Sequence, residues 1–222
     1  LGSNTTASSN VAVGNSALAA NTTGADNIAM GKGTLDANTT GSSNTGIGHD
    51  ALTSNTTADN NTAVGYASML LNTTGANNVA VGRDSMLSNT EGNENVVVGA
   101  DALDANTTGD SNTAIGKSAL GASTTANNNT AVGASSLVAT TTGANNTAVG
   151  YSAMQENTTG STNVAVGKEA LMRCTTGGSN VAVGYETLSR NTTVGSNTAV
   201  GTYALVFNTT GTKNTAIGGD IP

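Results

Sequence analysis

The 222-residue chain has no tryptophan, one phenylalanine, four tyrosines, one proline, one cysteine and one histidine. Each scarcity excludes something. Aromatics are 2% and charged residues 9% of the chain, so the large side chains that fill a wide globular core are missing. Burial of apolar area is what offsets chain entropy, and by composition alone this chain reads as a disordered, low-complexity segment. A single cysteine, Cys174, rules out an intrachain disulfide. Seven Lys and Arg against fourteen Asp and Glu give a formal charge of −7, with no basic patch for a phosphate backbone. That argues against nucleic-acid binding. No apolar run approaches the ~20 residues of a membrane span, and no signal peptide is visible, which argues against membrane insertion by this segment. The chain opens at Leu1 without an initiator Met and reads as part of something longer.

What the chain has instead is a ruler. Val, Ile or Met followed by Gly recurs at Gly14, Gly31, Gly48, Gly65, Gly82, Gly99, Gly116, Gly133, Gly150, Gly167, Gly184, Gly201 and Gly218. All twelve steps are 17 residues long, without insertion or deletion. A disordered chain has no reason to stay in phase. Fixed phase implies that each repeat stacks on the next.

The columns of the ruler describe one coil. Four residues before each of these glycines stands an asparagine: Asn10, Asn27, Asn44, Asn61, Asn78, Asn95, Asn112, Asn129, Asn146, Asn163, Asn180, Asn197 and Asn214. Between them lie Val, Ile or Thr, then a small residue (Ala except at Gly46 and Val97), then Val, Ile or Met, which predicts a short strand closed by a glycine corner. Four residues after the glycine comes Leu or Met, and an Asn-Thr-Thr-Gly turn closes the coil, as at Asn38–Gly41 and Asn72–Gly75. Departures gather in that turn, where Ser123, Thr140 and Cys174 replace Asn and Ala58, Ala126 and Val194 replace Gly. A helical repeat is disfavoured, since seventeen residues allow one short helix at most and Gly and Asn-Thr-Thr would interrupt it. We therefore predict an all-β fold, a parallel β-solenoid or β-roll of about 13 coils that stack at ~4.8 Å per coil over roughly 58 Å. Residues 1–218 form the array, and 219–222 are its end or the start of another region. Pro222 stands where Leu or Met is expected, which predicts that the array stops or changes there.

Stacked coils turn identical residues into ladders, and the Asn columns are the expected structural ladder, amide bonded to amide. Within the strand, alternate residues face opposite sides, with Ala on one and Val, Ile or Thr on the other. No charged residue enters the Ala column, so both sides are expected to be buried, one in the coil's own core and one against a partner. Three or four sizeable apolar groups per coil are few for a lone chain. Self-association follows, with a threefold arrangement burying the second face symmetrically.

The columns resemble a known family. Asn-Val-Ala-Val-Gly-Asn-Ser-Ala at Asn10–Ala17 and Asn-Val-Ala-Val-Gly-Lys-Glu-Ala at Asn163–Ala170 are similar to the head repeats of trimeric autotransporter adhesins of the YadA type. The longer unit at Asn146–Gly160 resembles repeats of phage tail fibres and other surface fibres. The resemblance covers essentially the whole chain. It implies a left-handed parallel β-roll, a homotrimer, and an extracellular, cell-surface or virion-tail location. The adhesin head repeat is shorter, so the Leu-x-x-Asn-Thr-Thr side is an enlargement. Neither the anchor barrel nor the coiled-coil stalk of an autotransporter is present in this sequence.

Catalysis needs different polar groups converging in one pocket, and the columns bring none together. His49 reads as a surface residue on a turn, and Cys174 as a tolerated substitution in the Asn-Thr-Thr turn. Asp84 and Asp101 form one stacked acidic pair, too few oxygens for calcium. We expect no enzyme activity, no cofactor and no metal. Asn-Thr-Thr also matches the N-glycosylation acceptor pattern nine times, from Asn4 and Asn21 to Asn208, which the equal spacing explains better as ladder and turn. One column is variable. Directly after the corner glycines stand Lys32, His49, Tyr66, Arg83, Lys117, Tyr151, Lys168 and Tyr185. This is a candidate binding ridge for a cell-surface glycan or a protein receptor, or else an exposed corner kept soluble. The leading expectation is a structural fibre or adhesin module that gives rigid reach and host attachment. The alternatives are an ice-binding solenoid, whose adjacent threonines cannot both face one side of a strand, and a self-assembling extracellular filament.

Overall fold

The structure, a computed structural model, describes residues 2–219. Those residues form a parallel β-solenoid with thirteen three-residue strands and no helix. Pro222 and its two neighbours lie outside the described residues. The chain divides into two compact units, Leu1–Ser111 and Asn112–Pro222. The first holds β1 (Val11–Val13), β2 (Ile28–Met30), β3 (Thr45–Ile47), β4 (Thr62–Val64), β5 (Val79–Val81) and β6 (Val96–Val98). The second holds β7 (Thr113–Ile115), β8 (Thr130–Val132), β9 (Thr147–Val149), β10 (Val164–Val166), β11 (Val181–Val183), β12 (Thr198–Val200) and β13 (Thr215–Ile217). In each unit the strands pair in chain order, always parallel, with every residue opposite the one 17 positions on.

The middle strand residue points into the coil. Ala29, Ala63, Ala80, Ala131 and Ala165 are fully buried, and they face an interior filled by the Leu and Met column from Leu18 to Leu188. Full burial of each such side chain contributes roughly 1.5–3 kcal/mol, and the column repeats that gain in almost every coil. The flanking strand residues point out. In the single chain Ile28 is 37% exposed, Ile47 39% and Ile115 38%. The coil's own core thus takes the Ala side, and the β-branched side lies open.

Sharp corners set the remaining residue choices. The corner glycines have φ of 131–142°, and a methyl there would overlap the carbonyl oxygen of the next coil's corner glycine. Both facts demand Gly. The buried Leu and Met residues sit at φ 48–53°, in the left-handed region. β-branched residues are strained there, which is why a buried column in a chain rich in Val and Ile contains neither. The residue two after the corner glycine, such as Asp50 or Glu169, and the residue before the ladder Asn, such as Ser43 or Asn77, are left-handed as well.

Two Asn columns hold the coils together. In the column before the strands, each side-chain oxygen accepts the backbone N–H of the next ladder Asn, as from Asn44 to Asn27 at 3.0 Å and from Asn146 to Asn129 at 3.0 Å. In the Asn-Thr-Thr-Gly column the amides bond directly, Asn38 to Asn21 at 2.9 Å and Asn55 to Asn38 at 3.0 Å. The two columns meet on shared acceptors. The Gly41 carbonyl receives Asn27 Nδ2 at 2.8 Å and Asn38 Nδ2 at 2.9 Å, and the Gly75 carbonyl receives Asn61 and Asn72 in the same way. The first threonine of each turn is engaged too, with the Thr22 hydroxyl donating to the Thr39 carbonyl at 2.9 Å.

This bonding decides the glycosylation pattern. Asn21, Asn38, Asn55, Asn72, Asn106, Asn157 and Asn191 are fully buried. Each Nδ2 donates to the carbonyl of the residue three positions on, Gly in most coils, Ala58 for Asn55 and Val194 for Asn191. The folded coil has no free amide to offer a glycosyl donor at these positions.

Candidate functional site

The ridge begins where the corner glycine turns the chain away from the sheet, so the next side chain is thrown outward. Lys32, His49, Tyr66, Arg83, Lys117, Tyr151 and Lys168 are exposed and Tyr185 is half-buried. Tyr66 and Tyr151 are 55% and 56% exposed, the values expected of aromatic rings with a free face.

Neighbouring coils bring these residues into short clusters. In the first unit the His49 and Tyr66 rings stack at 5.5 Å and 23°, and His49 Nδ1 lies 2.9 Å from Asp50. Arg83 bonds Asp84 and also holds both oxygens of Asp101, at 2.8 and 3.0 Å. One guanidinium therefore bridges the stacked acidic pair and offsets part of its charge. Asp104 lies close to the same pair. Burial pushes its carboxyl above the usual range, and the charges of Asp101 and Asp84 add to that rise. Among the described residues, no group of three His, Cys, Asp or Glu side chains is placed to hold a metal ion.

In the second unit Lys168 Nζ lies 5.3 Å above the Tyr185 ring and 3.3 Å from Glu169. Tyr185 meets Tyr203 edge to face at 5.2 Å. Hydrogen bonding to Glu186, then to Tyr203, holds the Tyr185 phenol well above its ordinary range, so it stays protonated. Tyr203 stands two residues after its corner glycine, one place off the ridge column, and sequence columns alone do not join it to Tyr185. Lys117 and Tyr151 stand outside these ring and ion-pair clusters.

Cys174 is fully buried, with Sγ 3.4 Å from the Gly177 carbonyl. Burial pushes the thiol up to about 11, so it is no nucleophile at neutral pH. The substitution leaves a mark. Cys174 has no amide to donate back along the ladder, and the buried Asn157 Oδ1 is left without a partner.

One column lay outside the sequence reading. Six residues after the corner glycine the chain carries a small residue in most coils, but Glu156, Arg173, Arg190 and Phe207 in the last four. Arg190 Cζ lies 4.7 Å from the Phe207 ring centroid, and Phe207 is 58% exposed. The signal was there as a break in a small-residue column. Comparison with protein-family models, curated proteins and solved structures returned no match for this chain.

Proposed function

We propose that this chain is a shaft or head module of a surface fibre, of the tail-fibre or bacterial-adhesin kind, assembled as a left-handed homotrimer. Its work is rigid reach and presentation outside the cell or on a virion tail, with the corner ridge available to a surface glycan or a protein receptor. The observation that carries this reading is the sheet face. Val, Ile and Thr side chains on the outer side of the strands form an open, regular, largely apolar surface. Soluble chains rarely leave such a face uncovered. The resemblance of Asn10–Ala17 and Asn163–Ala170 to adhesin head repeats points to the same threefold arrangement.

Sedimentation equilibrium at micromolar concentration tests it. We expect a mass three times that of the chain, and Val149→Glu, on the outer side of β9, converts it to monomer while the β signal in circular dichroism persists. A wild-type monomer overturns the reading.

A second reading uses the same face. Thr113, Thr130 and Thr147 stand on adjacent strands, each two residues from Ile115, Val132 or Val149 on the same side. Such a row of hydroxyls and methyls at strand spacing suits an ice-binding surface better than the adjacent threonines of the turns. Thermal hysteresis in a protein that sediments as a monomer would favour it.

A further inference from the structure

The column six residues after the corner glycine has no structural need for large side chains. It is filled by Ala20, Ala37, Ser88, Ala122 and Ala139 in typical coils, and Leu71 is an isolated exception. In the last coils it changes to Arg173, Arg190 and Phe207. Both arginines are exposed, and among the described residues neither takes part in an ion pair. They occupy adjacent coils, at the ~4.8 Å strand spacing, where like charges repel. Glu156, one coil earlier, bounds the patch. The Phe207 ring sits beside the Arg190 guanidinium with more than half of its surface open. The Val206 N–H bonds the Tyr203 carbonyl at 3.1 Å and the Ser189 N–H bonds that of Glu186 at 3.3 Å. The Tyr185–Tyr203 pair thus flanks the same turns. Charge is divided in the same sense. The first 111 residues carry ten acidic and two basic side chains, and the rest carry four acidic and five basic.

We propose that Arg173, Arg190 and Phe207 form a subsite for an acidic polysaccharide. Two guanidinia one coil apart take carboxylate or sulfate groups on successive sugars, each through paired N–H donors. The open phenyl face packs against the apolar face of a sugar ring. A polyphosphate is a poorer fit, because it offers no apolar ring face to Phe207. The proposal rests on the attachment part of the surface-fibre reading and names its ligand class and place.

The test is titration calorimetry at low salt on the full chain, with oligogalacturonate as the carboxylate probe, a heparin-derived oligosaccharide as the sulfate probe, and neutral dextran as the control. We expect at least one acidic probe to bind with an affinity that falls as salt rises, and dextran not to bind. R173A/R190A weakens binding at least tenfold, R190K fails to restore it, F207A weakens it, and F207Y retains it. K213N, at an exposed lysine outside both the ridge and this patch, leaves it unchanged. All are exposed positions, and matching thermal melts show that folding is intact. The proposal is overturned if neither acidic probe binds, if dextran binds equally well, or if R173A/R190A binds like the parent. A trimer without binding overturns this inference alone, whereas a monomer that binds through these residues overturns the trimeric fibre and leaves the subsite in place.

Discussion

At the residue scale, the strongest constraints fall on backbone conformation rather than on bulk. Leu120 is buried at φ +53°. Leu120→Met keeps volume and flexibility and is expected to cost little, since Met69, Met86 and Met154 already stand in that column. Leu120→Val removes one methylene and adds a β-branch in the left-handed region, so the loss should exceed the ~1 kcal/mol of a simple truncation. Urea denaturation of the pair checks the order. Cys174 makes the opposite case. Cys174→Asn supplies the missing donor to Asn157 Oδ1, and relief of a buried orphan acceptor is expected to stabilise by about 1–3 kcal/mol. It also removes a pH effect. The unfolded thiol titrates near ~8.5, and the folded one only at about 11. The folded state therefore holds the proton over that window, and stability falls as pH rises through it. Denaturation midpoints from pH 8 to 11 should fall more steeply in the parent than in Cys174→Asn.

At the scale of the coil, the asparagines act as a pair of coupled columns. Asn61→Ala removes the acceptor of the Asn78 N–H at 3.0 Å and the donor to the Gly75 carbonyl at 2.8 Å. The carbonyl keeps Asn72, but the Asn78 N–H is left buried and unpaired, so a loss of roughly 1–3 kcal/mol is expected in chemical denaturation, with hydrogen exchange fastest around β4 and β5. Gly65→Ala should be more damaging, because it adds strain at φ +139° to a clash with the next coil.

Much of the coil was legible in the sequence because a stacked column must accept one residue type thirteen times. The strand, the corner and the Asn ladders follow from that invariance. Which strand face turns inward was not legible, since Val and Ile ordinarily claim the core. Here the Leu and Met column fills a narrow interior, and the position opposite takes Ala in all coils but those of Gly46 and the buried Val97. The left-handed backbone of Leu18 and its counterparts left one trace, the absence of Val and Ile, which is easily taken for a preference for size. The cluster formed by Tyr185 with Tyr203 was hidden because columns show what stacks directly, whereas these two rings meet diagonally.

At the scale of the whole molecule, each unit buries its small core and bonds its corners but leaves the sheet face open. If three chains share that face, unfolding is coupled to dissociation, and the melting temperature should rise with protein concentration. Differential scanning calorimetry over a hundredfold concentration range checks this, and a concentration-independent value argues for a self-sufficient monomer. The uneven charge adds a directional expectation. Acidic oligosaccharides should protect backbone amides around β10–β12 from hydrogen exchange and leave the acidic first unit unaffected.

The strict 17-residue phase also has a hereditary consequence. Inserting or deleting a single residue would put the coil that carries it out of register with its neighbour, setting a ladder Asn against a strand residue and a corner Gly against the residue beside it, so coil lengths other than seventeen break the ladders at that point. A gene built from near-identical repeats readily misaligns during recombination, and each crossover between equivalent points adds or removes one complete coil in frame. Related genes should therefore differ in coil number while keeping the register of each coil, so that reach is adjusted in whole coils without redesign of the contacts between them.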